Sequence, residues 1–557
     1  NFAHGALATV SAYLFYTLHV THEMPWGPAA VIAVLVAGPV MGLAMEAISR
    51  RLQLFPLAMR VAATVGVLLA VASAATLIYG TTQVREVPVF LSSGSFDFGG
   101  TIVQWSDAIT LIFGIVATTA LWLVLRFARI GIAMRAVVDN RDLLDTAGVS
   151  PTMVQRSAWI IGATFAAASG VLFSTLLPLD PIQLTMLVVA AFGASAIGAF
   201  RNLPMTFVGG LLIGVLASLA TRYITAPSLA GISPSMPFVA LFVVLLVFPK
   251  SKLPRTQRSQ LAMGPTWSAP PLMSVSVGAA ALVLLALVPS FAGIHLTDWT
   301  SALAMMILFL SLTLLVRTSG QVSLCHMTFA AIGAAGFSHL AVDHHVPWLV
   351  ALLAASLVAV PVGAVLAIPA IRLGGVYLAL ATFGLGILVE YMFYTQSYMF
   401  GATGSGLAEP RPHLSWVNLE SDTGFYYVVL AFTLGCVILL VAINRSRLGR
   451  LLRGVSEAPV ALQTSGAAIN ITRVLVFCIS AFLAALGGAL MAISQGIAST
   501  PSYPPIQSLT LLTVVAIIAV GAPWNSILAG ALLVLVPSYF PSANVATYLQ
   551  LIFGLSA

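Results

Sequence analysis

The sequence predicts an all-α fold, a polytopic transmembrane helical bundle made of two parallel repeats related by a pseudo-two-fold axis along the membrane normal. Four observations carry this expectation. Of 557 residues, 60% are hydrophobic and 7% charged, and the mean hydropathy is +1.04; soluble domains carry about 25% charged residues. Apolar runs of about 20 residues, enough to cross roughly 30 Å of hydrocarbon as helices, recur along the whole chain. Sustained period-2 alternation is absent, which argues against a barrel. Finally, one polar insert occurs twice, at 129–150 and at 447–468.

In chain order the apolar runs place helices at about 1–20, 28–48, 58–80, 107–127, 157–177, 184–200, 204–222, 235–248 and 274–292. They continue at about 300–316, 320–341, 347–370, 374–396, 425–443, 474–494, 508–521, 524–540 and 547–557. The net charge of +7 matters here through its placement. If the side carrying Arg50, Arg51 and Arg60 is cytoplasmic, strict alternation leaves only Arg85, Arg222 and Arg411 outside, as the positive-inside rule expects. Cys325, Cys436 and Cys478 have no C-x-x-C spacing, so neither disulfides nor zinc are indicated. No cleavable signal peptide is visible.

Placing RIGIAMRAVVDNRDLLDTAGVS (129–150) over RLGRLLRGVSEAPVALQTSGAA (447–468) pairs Arg129 with Arg447, Gly131 with Gly449 and Arg135 with Arg453. It also pairs Val137 with Val455, Leu144 with Leu462, Thr146 with Thr464 and Gly148 with Gly466. The same offset matches Ala63-Thr64 and Gly66 to Ala381-Thr382 and Gly384, and Ala166-Ala167 and Gly170 to Ala484-Ala485 and Gly488. With a shift of a few residues NFAH pairs with SLCH, setting His4 over His326, and PIQ recurs at 181–183 and 505–507. An ordered series of this kind is a duplication. Both inserts fall on the cytoplasmic side, so the copies run in the same direction.

The expected organisation is a first permease half at 1–249, a basic cytoplasmic linker at 250–273 and a second half at 274–557. The second half has an apolar segment ahead of its GQVSLCH that the first lacks. A further transmembrane helix ahead of Asn1 is therefore expected, as is a C-terminus beyond Ala557.

Each insert reads as a short helix, with Asp139 or Ser456 as N-cap, Asp142 or Glu457 in or near the first turn, and Gly148 or Gly466 just past the end. Pro459 is tolerated because the first turn has no N–H to lose. One such helix alone could lie on lipid headgroups. Two at equivalent places in a parallel repeat suit a partner that is itself a two-fold dimer, as in ATP-binding cassette importers. The chain has no G-x-x-x-x-G-K-[ST], and its only lysines are Lys250 and Lys252, so nucleotide chemistry would come from another subunit.

NFAHGALATVSAY together with the 129–150 insert resembles the LivH type of branched-chain amino acid importer permease. GQVSLCHMTFAAIGAAG, GGVYLALATFGLGILVE, GATGSGLAEPRP and GVSEAPVALQTSGAAIN resemble the LivM type. The two types look fused, and the resemblance covers nearly the whole chain. It implies a non-enzymatic permease of a bacterial cytoplasmic (inner) membrane. Substrate would come from an extracytoplasmic binding protein, and two ATPase subunits holding ATP and Mg would drive transport. The cargo would be a small polar solute: a branched-chain or other amino acid, urea, an amide or a small organic acid. The ATPase-coupling residues would be Arg135, Asp139, Asp142, Leu144, Gly148, Arg453, Ser456, Glu457, Leu462 and Gly466. A strict EAA-type loop is absent, since Pro459 follows Glu457-Ala458.

Asn1, His4, Thr64, Ser323, His326 and Thr382 are candidates for the translocation pathway, because polar groups inside a membrane protein face the bundle interior or a cavity. For the two histidines, packing against backbone is the competing role. GATGSG (401–406) follows no strand and has no Lys, so it reads as an outer loop; Asp343-His344-His345 on another outer loop does not make a metal site, because adjacent loop residues rarely converge on one ion. Gly- and Ala-rich stretches read as close helix contacts. Glu46 and Glu390 lie near helix ends. The alternative, an ion-coupled secondary transporter or channel, would keep acidic or His relays near the midplane. A scaffold or an intramembrane enzyme ranks behind it, as no catalytic cluster is visible.

Overall fold

The computed structural model describes residues 1–557 except 54, 56, 81–82, 92–93, 248–270, 373–374, 402–403, 405, 414–417, 519, 541, 543 and 557. The expected linker lies outside the described residues apart from its last three positions, which open a helix.

Through the first half run α1 (Ala3–Tyr16), α2 (Trp26–Val31), α3 (Ala37–Leu52), α4 (Leu57–Tyr79) and α5 (Trp105–Phe127), then α6 (Arg129–Asp139), α7 (Arg141–Thr146), α8 (Pro151–Phe173), α9 (Pro181–Ile197), α10 (Leu203–Tyr223) and α11 (Ile232–Val247). The second half comprises α12 (Pro271–Phe291), α13 (Leu296–Thr313), α14 (His326–Ser338), α15 (Trp348–Arg372), α16 (Val376–Phe393) and α17 (Asp422–Arg445), then α18 (Arg447–Glu457), α19 (Pro459–Thr464), α20 (Ile469–Gln495), α21 (Gln507–Ile517), α22 (Trp524–Tyr539) and α23 (Val545–Ser556). Two short antiparallel ribbons, Ser95–Phe98 with Thr101–Gln104 and Leu407–Ala408 with Ile497–Ala498, are the only strands among the described residues. Eleven helical segments of the described residues are long and apolar enough to cross a membrane.

Local chemistry explains the boundaries. Asp180 and Asn202 accept hydrogen bonds from the first-turn N–H groups of α9 and α10, and Pro occupies the first turn of α8, α9 and α10, where no intrahelical N–H is lost. The core concentrates on α13, which packs against α17, α20 and α22, and is buried along almost its whole length. Close approach is bought by small residues: a Cβ on Gly170 would meet the backbone of Ala8, and one on Gly488 the backbone of Ala330, at paired positions of the two halves.

The halves repeat local geometry beyond the motifs visible in sequence. After both α1 and α14 the helix widens into a π turn, at Thr17–Thr21 and at His339–Asp343. The widened turns close the same way, His22 N–H on Thr17 O at 2.9 Å and His344 N–H on His339 O at 3.1 Å. A non-glycine residue then takes positive φ in each, Glu23 at 54° and His345 at 52°, before a Pro-Trp pair opens the next helix. Backbone of this kind costs about 1–3 kcal/mol and persists only where its surroundings fix it.

Three expectations need correction. The helix expected at 320–341 begins at His326, because Gly320 (φ 69°) ends the preceding helix and residues 320–325 lie outside any helix. The Leu324 N–H in that stretch donates to Thr382 Oγ1 at 3.0 Å. Each polar insert is two helices rather than one. Neither Asp139 nor Ser456 is an N-cap: both lie in the last turn of α6 or α18, with Glu457 closing α18. The caps of the following short helices are Asn140, whose Oδ1 accepts from Leu143 N–H at 3.0 Å, and Ala458, which has no capping side chain and relies on Pro459.

Candidate functional site: the paired inserts

Each insert is an eleven-residue helix, a sharp bend and a six-residue helix, α6–α7 and α18–α19. In α18 the buried Gly449, Leu452 and Val455 recur every three residues while Arg447, Arg450 and Arg453 are exposed, so one face packs and the other meets solvent. Ser446 caps it, its Oγ accepting from Leu448 N–H and Gly449 N–H. Gly131 and Gly449 let the helix fold back on the end of the preceding span: a Cβ there would meet Val124 and Leu125, or Ile443 and Asn444.

The two inserts share a set of equivalent hydrogen bonds. Arg135 donates to Arg126 O at 3.3 Å and Arg453 to Asn444 O at 3.2 Å, each arginine reaching nine residues back to the end of its span. Gly148 (φ 82°) and Gly466 (φ 80°) close the short helices, donating to Asp145 O and Gln463 O. The next N–H, of Val149 or Ala467, returns to Leu144 O or Leu462 O. Only glycine takes this backbone at low cost.

Of the expected coupling residues, Arg135, Asp139, Asp142, Gly148, Arg453, Ser456, Glu457 and Gly466 are exposed, Leu144 is buried and Leu462 half-buried against Gly454. Exposed Val138 and Leu143 on one insert and Val460 on the other add apolar surface to these tips. The inserts are anchored differently. Arg141 of α7 donates to Gln53 Oε1 at 2.7 Å, and Gln53 reaches Gln155 of α8 at 3.4 Å. In the second insert Ser456 sits directly on Gly320, in the stretch that joins α13 to α14. Sequence reasoning missed Asn140, Gln53 and Gly320. Asn140 carried a signal, an Asn two residues ahead of an Asp in a helical run; Gln53 and Gly320 are remote in sequence from what they hold.

Asn1 and Thr64 line a cleft of ≈ 220 Å³ with Arg60 and Trp159, and Asn1 Nδ2 lies 2.9 Å from His4 Nδ1. Thr64 donates to Val61 O. Their counterparts are enclosed. Ser323 contacts Cys325 Sγ at 3.2 Å, Thr382 accepts from Leu324, and His326 Nε2 meets Ser480 Oγ at 3.1 Å, all within the core of the second half. Asn1 and Thr64 thus line an open cleft, while Ser323, His326 and Thr382 are enclosed.

The chain matches the protein family described as branched-chain amino acid transport system / permease component over residues 1–248 and again over 296–555. The probable branched-chain amino acid transport permease protein LivH of Methanocaldococcus jannaschii is 28% identical over 236 residues, 41% of this chain and 73% of the relative. The high-affinity branched-chain amino acid transport system permease protein LivM of Salmonella typhimurium is 29% identical over 258 residues, 42% of this chain and 61% of the relative. LivH of the same organism is 24% identical over 271 residues, 46% of this chain and 86% of the relative. The LivH and LivM matches fall on different halves. No solved structure matches the chain significantly. With its apolar spans and two family matches in tandem, the chain is a multi-pass membrane protein that belongs to the branched-chain amino acid transport system permease family.

Proposed function

We propose that this chain is the two-half permease of an ATP-binding cassette importer, carrying a small polar solute, a branched-chain or other amino acid, into the cytoplasm. The observation that carries this is the pair of inserts with one backbone geometry, α6–α7 and α18–α19, each held to the end of a span by an arginine reaching nine residues back. They are the coupling elements, each received by one ATPase subunit, where ATP and Mg are bound; an extracytoplasmic binding protein delivers the cargo at the opposite face.

The pseudo-two-fold relation of the halves is supported by reciprocity. α11 packs on α16 while α23 packs on α4, and the equivalent glycines Gly384 and Gly66 sit in the two contacts, against Leu241 and Gly554 respectively. Isologous surfaces of this kind accompany a two-fold axis. A two-fold membrane unit offers two equal docking points to an ATPase dimer.

Uptake by the chain reconstituted with its co-purified ATPase subunits is the test. Uptake that requires ATP hydrolysis and the binding protein is expected. Uptake indifferent to ATP but following a proton or sodium gradient would overturn the reading.

A further inference from the structure

The two seams at which the halves meet are built differently. α4 of the first half packs along α21 of the second, whereas the equivalent pair, α16 and α9, meets far more sparsely. Aromatic rings occupy this second seam. Phe2, at the start of α1, lies edge-on to Phe192 of α9, with ring centroids 5.4 Å apart, and edge-on to Phe383 of α16 at 6.2 Å. Nearer the start of α16, Tyr377 meets Phe200, in the turn after α9, at 5.1 Å. Phe2 and Phe383 are 1% and 0% exposed, and the other three rings pack half-buried against the same core.

The repeat shows that the fold does not require these rings. The offset that carries Arg129 to Arg447, 318 residues, carries Phe383 to Val65 and Tyr377 to Met59, and the pairing of NFAH with SLCH sets Phe2 over Leu324. GAFRN (198–202) matches GAPWN (521–525), which sets Phe200 over Pro523, and Phe192 falls opposite the run VVAII (514–518). Five aromatic rings at one seam therefore have no aromatic counterpart at the other. Val65 and Leu324 are both 0% exposed, so these equivalent positions are filled by aliphatic side chains.

Backbone strain sits at the same place. Ala199 and Phe200 take φ of 52° and 54°, a conformation that non-glycine residues hold only where their surroundings fix it, and one that clusters at switch regions. Pro523, at the corresponding place in the second half, has an ordinary φ of −89°. The contact of Phe200 with Tyr377 crosses from one half to the other, so separating the halves here releases the turn. Open space also reaches this seam: the cleft lined by Asn1 and Thr64 has Phe2 in its wall and, from the second half, Val376 of α16.

We propose that Phe2, Phe192 and Phe383 are the gate of the translocation pathway, which opens between α9 and α16 while the seam between α4 and α21 stays closed. This rests on the two-half permease reading. In transporters built of repeats the cargo passes where the repeats meet. A displaced ring turns as one flat body and offers an apolar face, so the gate favours a solute with an apolar side chain over a polar one of the same size.

The test is passive efflux of L-leucine from vesicles that hold the permease with its co-purified subunits and no ATP. Phe383→Ala and Phe192→Ala, made singly, are each expected to raise efflux several-fold over the wild type. Val65→Ala also removes buried apolar bulk, at the position equivalent to 383, and is expected to leave efflux at the wild-type level. Efflux unchanged in both phenylalanine variants, or raised as much by Val65→Ala, would overturn the proposal and leave the rings as packing. If gel filtration shows that Phe383→Ala does not fold, the half-buried Phe192 carries the test. Because ATP is absent, this outcome is separate from whether ATP drives uptake, and a failure of either reading is seen in its own measurement.

Discussion

A Cβ added to Gly320 would stand 2.5 Å from Ser456 Oγ, with Gly320 itself at φ 69°. The stretch between α13 and α14 thus touches the second insert directly, and any side chain at 320 must move one or the other. Gly320→Val combines left-handed backbone with overpacking, which together cost about 2–5 kcal/mol. The expected result is a lower thermal midpoint and weakened association with the ATPase subunits. Differential scanning fluorimetry and co-purification read these two effects separately.

The first insert has a different anchor, and should respond differently. Arg141→Ala removes the 2.7 Å bond to Gln53, an exposed contact of the kind worth about 0.2–1 kcal/mol. Stability should barely change, while ATP-driven uptake falls because α7 loses its tie to α3. Equal loss of stability and uptake would show the bond to be merely structural.

The inserts as a pair can be removed. Deleting 135–148 together with 453–466 is expected to abolish ATPase co-purification while the spans remain folded. A complex that survives the double deletion would contradict the coupling assignment.

How far the sequence led can be judged at these same residues. The duplication, the inserts and Gly148 and Gly466 were legible because glycine at a helix end and an ordered offset are both written in residue type. The bends at Asn140 and Ala458 were not, since the amphipathic pattern runs through Asp139 and through Glu457, and periodicity alone places one helix boundary too early. The non-helical stretch 320–325 reads as helix in sequence because its apolar and small residues suit either state; Gly320 and the long-range bond from Leu324 to Thr382 decide it. His4 and His326, paired by sequence, both lie at the start of their helices, α1 and α14. What residue type could not tell is that His4 is half-buried while His326 is fully enclosed, a difference made by helices distant in sequence.

Ser480 illustrates a long-range dependence of this kind. Its hydroxyl meets His326 Nε2 at 3.1 Å and Ser311 Oγ at 2.8 Å, linking α20 to α14 and α13 inside the core. Ser480→Ala strands His326 Nε2, while Ser311 Oγ keeps its bond to the carbonyl of residue 480 at 2.7 Å, and an unsatisfied buried polar group costs about 1–3 kcal/mol. A clear fall in the thermal midpoint is expected. The corresponding change in the first half, Gly162→Ala, lies near His4 without such a network and should cost less.

Glu409 gives the chain a pH dependence outside the spans. The residue is 3% exposed, its backbone N–H donates to Gly496 O, and neither carboxylate oxygen has a hydrogen-bond partner. Burial pushes its carboxyl from the ordinary 4.5 up to about 9. Between these values the folded chain keeps a proton that the unfolded chain releases, so stability falls as pH rises across the window and is fully present only below it. The thermal midpoint should therefore decline from pH 5 to pH 9 in the wild type. Glu409→Gln, which keeps the shape and cannot ionise, should flatten that decline and raise the midpoint at pH 8. A wild-type and variant pair with parallel pH profiles would mean that the loop opens to hydrate the carboxylate at little cost. In that case the ribbon formed by Leu407–Ala408 and Ile497–Ala498, from which Glu409 emerges, is not the fixed lid that its hydrogen bonds to Gly496 and, through Ala408 O, to Ser338 make it.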